Sequence, residues 1–201
     1  MQKLWQRIET WIAANTDGDL ALRPGASEEQ IVALETQLGR RLPDDVRESY
    51  LVHDGQDMPS VRWFDGERRL HPIDSIAKEW ADGYRDETED PEGPAEDTRA
   101  MQVFQHRDRL PLIGVQHWDG DNVYVDFLPG PDGTSGQLLY RMDIELSVIA
   151  GSWREFLEEY ARRLEAGELV YKKGVDMYPE AKGGIHAVGN EGDVFAAFGE
   201  H

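Results

Sequence analysis

Gly120-Asp121-Asn122-Val123-Tyr124-Val125-Asp126-Phe127-Leu128-Pro129 carries the plainest secondary-structure signal in the chain. A turn cluster, Asp119 to Asn122, runs into five residues dominated by β-branched and aromatic side chains, and Pro129 closes them. Strict alternation places Val123, Val125 and Phe127 on one face of a strand, with Tyr124 and Asp126 on the other. If that second face is covered, the Asp126 carboxylate has to be hydrogen-bonded, most simply by backbone donors of a neighbouring turn, which is the favoured reading; if it is exposed, the carboxylate is free to contact a partner. On the C-terminal side, Pro129 to Gly136 reads as a tight turn and Gln137-Leu138-Leu139-Tyr140-Arg141 as the returning strand. On the N-terminal side, Leu110-Pro111-Leu112-Ile113 is a further strand, whose proline points to an edge or a strand start. Val61 to Phe64 and Glu67 to Leu70, around Asp65-Gly66, read as a hairpin with a two-residue turn.

Helical signals flank this sheet. Leu4, Trp5, Ile8, Trp11 and Ile12 fall on one face of an opening helix. Ser27-Glu28-Glu29-Gln30 is a capping box that starts a second helix, with Ile31, Leu34 and Leu38 inward and Gly39 as its stop. Pro43-Asp44-Asp45 opens a third, with Val46, Tyr50 and Leu51 inward. A short helix carries Ile73, Ile76 and Trp80. Ser152-Trp153-Arg154-Glu155 is a second capping box, followed by Phe156, Leu157, Tyr160 and Leu164 and the stop Gly167. Helices, then an antiparallel sheet, then a closing helix define an α+β domain over 1–167. A glycine-rich extension, 168–201, follows, in which Val170-Tyr171 and Val194-Phe195 are candidate short strands. Such strands can pair within the chain or between chains, which leaves a homodimer open.

Forty acidic residues against 21 basic ones give a formal charge of −19. That surface repels phosphate backbones and anionic lipid, so neither nucleic acid nor membrane is an expected partner, and it steers basic proteins inward. No apolar run approaches the roughly 20 residues that span a bilayer, and the opening residues do not form a signal peptide. With no cysteine there is no disulfide and no thiol chemistry, and a cytoplasmic setting is expected.

From Asp82 to Thr98 periodicity is lost among eight acids with Pro91, Gly93 and Pro94, which reads as a mobile, solvated loop. Asp119, Asp121 and Asn122 resemble calcium-loop spacing, but the strand begins before further ligands are supplied. His53-Asp54 has no accompanying nucleophile motif, and His71, His106 and His117 lack the close helical spacing of metal ligands. His53 is more simply a cap at a helix end. No catalytic residue, metal or cofactor is expected.

Several pieces gain meaning in order: Trp5…Trp11-Ile12, Leu22 to Ile31, Leu38-Gly39…Leu42-Pro43, His53-Asp54-Gly55-Gln56, Leu110 to Ile113, Gly120 to Pro129, Gly136-Gln137, and the Ser152-Trp153…Phe156-Leu157 helix. That series, over residues 4–166, resembles the Smi/Knr-like family of the SUKH superfamily. The resemblance implies an α+β fold without catalysis. It also implies either an immunity protein that blocks a basic, often nuclease, bacterial toxin or a regulatory scaffold in signalling and wall assembly, the first being the leading expectation here. The expected partner contacts are Asp54, Asp86, Glu87, Glu89, Asp90, Asp119 and Asp121, with Trp63, Phe64 and Trp80 as possible aromatic anchors. For Trp80, core packing is the simpler reading.

Overall fold

The computed structural model describes residues 1–62, 68–83, 85, 89–103, 105–114, 122–173, 183–189, 194–195 and 198. Three helices come first: α1 (Gln2–Asn15), α2 (Glu28–Leu38) and α3 (Asp44–Tyr50). Two short strands, β1 (Val61–Arg62) and β2 (Arg69–Leu70), precede α4 (Ile73–Gly83). The central strands are β3 (Arg109–Gly114), β4 (Val123–Asp126), β5 (Gln137–Met142) and β6 (Glu145–Ala150). Helix α5 (Trp153–Ala166) and strands β7 (Leu169–Lys173) and β8 (Gly183–Ala187) complete the α+β fold.

Strands β2-β3-β4-β5-β6 form one antiparallel sheet in that spatial order. The strand that begins at Val123 lies at its centre and is buried along its whole length. Pro111 sits where only β4 neighbours β3, because β2 reaches no further than Ile113 and Gly114. A proline there removes no donor from a second ladder.

The expected hairpin around Asp65-Gly66 does not form. Val61–Arg62 pairs in parallel with β8, whereas Arg69–Leu70 pairs with β3, so the two halves enter different sheets. The turn itself, 63–67, lies outside the described residues, and with it Trp63 and Phe64. Strand β8 runs between β1 and β7, which ties the segment after Gly167 to the sequence before α4. Val194 and Phe195 lie in a turn, not a strand, and Phe195 packs 4.8 Å from the Tyr140 ring. Phe198 sits 4.9 Å from the Phe156 ring on α5.

Local signals set the helices where the sequence places them. Ser27 and Gln30 exchange both capping bonds, and Gly39 ends α2 at φ 68°. At α5, Ser152 Oγ accepts from Glu155 N–H, but the Glu155 carboxylate turns to Gly151 N–H, so that box is half formed. Trp5, Ile8, Trp153, Phe156 and Tyr160 are fully buried where α1 meets α5. Trp80 is also core, 5% exposed, with its Nε1 donating to Arg107 O at 2.9 Å. Leu51, expected inward, is 40% exposed at the C-cap of α3.

Each edge of the large sheet is capped at one residue by groups that imitate a missing strand. Gln56, fully buried, accepts from Leu70 N–H through Oε1 and donates its own N–H to Leu70 O. At the other edge the Asp97 carboxylate accepts from Val148 N–H while Arg99 donates to Val148 O. Exposed strand edges are templates for unwanted pairing, and each cap blocks its edge at that one residue, Leu70 or Val148.

Candidate interaction surface

The acids singled out from sequence divide into three groups. Asp86, Glu87, Asp119 and Asp121 lie outside the described residues. Glu89 and Asp90 are exposed at the start of a two-armed ladder, in which Glu89 N–H donates to Gln105 O, Glu92 N–H to Gln102 O and Ala95 N–H to Ala100 O. Asp82 and Gly83 thus end α4, and 89–98 forms one arm of a hydrogen-bonded ladder with 100–105, where an unpaired loop was expected. Ala95 and Ala100, both buried, anchor it. The acids are repelled from one another, but two small apolar residues and the Asp97–Arg99 pair outweigh that repulsion. Asp54 is half-buried and accepts from Ile73 N–H at the start of α4. Burial raises its carboxyl above the ordinary value, against the pull of that bond.

His53 and Asp54 do not form a base–acid dyad. The His53 ring reaches Arg23 O at 3.0 Å and Glu9 Oε1 at 3.1 Å, and meets the Trp5 indole edge-on. The imidazole thus joins α1 to the chain beyond α3. His71 makes a different contact. It is fully buried, and its Nε2 lies 3.3 Å from Glu79 Oε2 without hydrogen-bond alignment. Burial pushes the imidazole down to about 4 and the Glu79 carboxyl up to about 7. Around pH 6 both groups are then neutral, so the contact is no ion pair. A fully enclosed histidine has no path to a substrate.

Asp126, the acid of the deciding strand, is 0% exposed. It accepts from Leu128 N–H at 3.0 Å, as the alternation argument requires, and from Gln137 Nε2 at 2.9 Å. Arg109 Nε stands 3.6 Å away, and that guanidinium also donates to the carbonyls of Met101 and Val103. Burial lowers the Arg109 pKa, with Asp126 opposing it. These groups fix β3, β4 and β5 to the chain before β3. Among the described residues no three His, Asp or Glu side chains gather as a metal site would require. No described helix is long and apolar enough to cross a membrane.

Among the described residues, an open groove of about 1060 Å³ lies between the 96–102 end of the ladder and the β5–β6 hairpin. Glu96, Asp132 and Glu145 line it and are exposed. Asp97 and Arg99 line it too, but each is held by the other through two hydrogen bonds. Burial pushes the Asp97 carboxyl up, yet the bonds from Arg99 and Val148 N–H outweigh it and leave it below the ordinary value. At one end the hairpin turn presents Met142, 41% exposed, and Ile144, 66% exposed. Asp143 between them takes φ 53°, a conformation aspartate tolerates better than most residues. Sequence reading missed this groove, because Glu96, Asp132 and Glu145 are far apart in the chain and only strand pairing unites them.

A model of the SMI1 / KNR4 family (SUKH-1) matches residues 25–159. The cell wall biosynthesis/cell cycle regulator smi1 of Schizosaccharomyces pombe is 30% identical over 183 residues, which is 82% of this chain and 36% of that protein. A glucan synthesis regulatory protein of Neurospora crassa is 25% identical over 206 residues, 81% of this chain and 38% of that protein. F-box only protein 3 of Homo sapiens shares 51% identity over 59 residues, 29% of this chain and 12% of that protein. The chain spans less than half the length of these curated relatives. None of these names is that of a toxin-immunity protein, and two are those of regulators. The chain belongs to the SMI1 / KNR4 family (SUKH-1).

Proposed function

We propose that this chain is a cytoplasmic binding module without catalytic chemistry, and that it regulates cell-wall assembly by holding a protein partner. One observation carries the reading: more than four-fifths of the chain aligns with fungal proteins named as regulators of the wall or of glucan synthesis. Two features of the molecule support it. Its enclosed polar groups, Asp126 with Arg109 and His71 beside the half-buried Glu79, pack within the fold instead of opening on a pocket. A charge of −19 favours encounter with a basic protein surface. The short match to an F-box protein also suits a recognition module used in more than one setting.

The experiment is deletion of the gene in its own host, followed by growth under wall stress, with the full chain returned on a plasmid. The proposal predicts hypersensitivity to wall-digesting enzyme and rescue by the returned chain. Normal wall tolerance, together with protection of cells that express a neighbouring basic toxin, contradicts it and restores the immunity role.

A further inference from the structure

Strand β6 ends the large sheet, and its outer edge is only partly closed. The register pairs Leu139 with Val148 and Arg141 with Leu146. The N–H and C=O of Val148 point away from β5, because Asp97 and Arg99 take them. In an antiparallel ladder this orientation recurs every second residue, so the N–H and C=O of Leu146 point outward as well. Arg141, opposite Leu146, sends its N–H to Asn122 O on the β4 side, which agrees with that phase. Two residues further along lies the side-chain clamp, and two residues back lies the exposed Ile144. Leu146 and Ser147 line the groove together with Glu96, Asp132 and Glu145.

We infer that this groove takes an extended, basic segment of the partner protein, laid against the outer edge of β6 at Leu146. The inference rests on reading the chain as a protein-binding module and names the surface and chemistry by which it binds. An extended segment meets the unpaired backbone groups of Leu146 through main-chain hydrogen bonds. Its alternate side chains then point toward Glu96 and Asp132 on one wall and Glu145 on the other. Lysine or arginine at those positions meets carboxylates that make no ion pair among the described residues, since Arg99 is neutralised by Asp97. An apolar side chain at the end of the segment covers Met142 and Ile144. The Asp97–Arg99 clamp limits the contact to the hairpin end of the edge, so the added strand is short.

The test uses the full chain and a synthetic nine-residue peptide of eight lysines and a terminal valine, which presents basic side chains to both walls, with fluorescence anisotropy and amide hydrogen exchange as readouts. Glu145→Lys, Glu96→Lys and Ile144→Asp change exposed side chains, so each should leave thermal unfolding unchanged. Each should weaken the peptide about tenfold. Glu29→Lys alters net charge by the same amount on α2, outside the groove lining, and should change affinity by less than about twofold. Exchange of the Leu146 amide should slow about tenfold when the peptide is bound. Absence of binding, an equal loss in Glu29→Lys and Glu145→Lys, or an unchanged Leu146 amide overturns the inference. A native partner captured equally by the parent chain and Glu145→Lys also overturns it while leaving the binding-module reading intact.

Discussion

At the scale of single residues, the alternation around Val123 was enough to pose the right question about Asp126. A carboxylate on a covered strand face needs donors, and it has two, Leu128 N–H and Gln137 Nε2. What the sequence could not show was Arg109, seventeen residues earlier, because that pairing depends on the register of β3 with β4. Asp126→Asn removes the counter-charge and leaves a guanidinium 1% exposed among carbonyls. Breaking one side of a buried pair costs about 3–5 kcal/mol, a large share of an ordinary domain's stability. Urea unfolding should therefore show a marked loss in midpoint with unchanged slope. A loss below about 1 kcal/mol would mean that the two carbonyl and two amide contacts alone satisfy the site.

At the scale of elements, caps and periodicity located α1, α2, α4 and α5, and β4 with its returning strand, since each depends on neighbours within a few residues. The errors fall where partners are distant. Val61–Arg62 and Arg69–Leu70 are separated by a good turn dipeptide, yet β8 and β3 claim them, and long-range pairing outweighs the local turn. The acidic stretch looked unstructured for a similar reason: its ladder is anchored by Ala95, Ala100 and the Asp97 bond to Val148, none of which has a periodic signature. The packing of α4 on the sheet offers a pH test through His71 and Glu79. His71 titrates near 4 in the fold against 6.5 ordinarily, so the unfolded chain binds more protons there and its contribution to stability rises from pH 4 to 6.5. Glu79 titrates near 7 against 4.5, so the fold retains a proton and its contribution falls from pH 4.5 to 7. The two slopes oppose one another in the parent chain. Glu79→Gln should make thermal stability climb more steeply between pH 4 and 6.5, and His71→Gln should make it decline from 4.5 to 7. Identical pH profiles in all three proteins would show that the two groups do not titrate as their burial requires.

At the scale of the whole molecule, charge and family resemblance were legible from sequence, while the acid-lined groove was not. An excess of acids says that a basic partner is favoured, but the open groove is assembled from 96–102, Asp132 and the β5–β6 hairpin, which only the folded chain brings together. The leading expectation of an immunity role came from the family's bacterial members, and the relatives that align over most of this chain are instead named as wall regulators. The central claim is that the chain works by holding a basic protein. Affinity capture from the native host with the full chain, eluted in steps of rising salt, tests it most directly. The account predicts one stoichiometric partner that carries a basic segment and is released as salt screens the contact. Recovery of no stoichiometric protein, in cells whose wall depends on this chain, would contradict it.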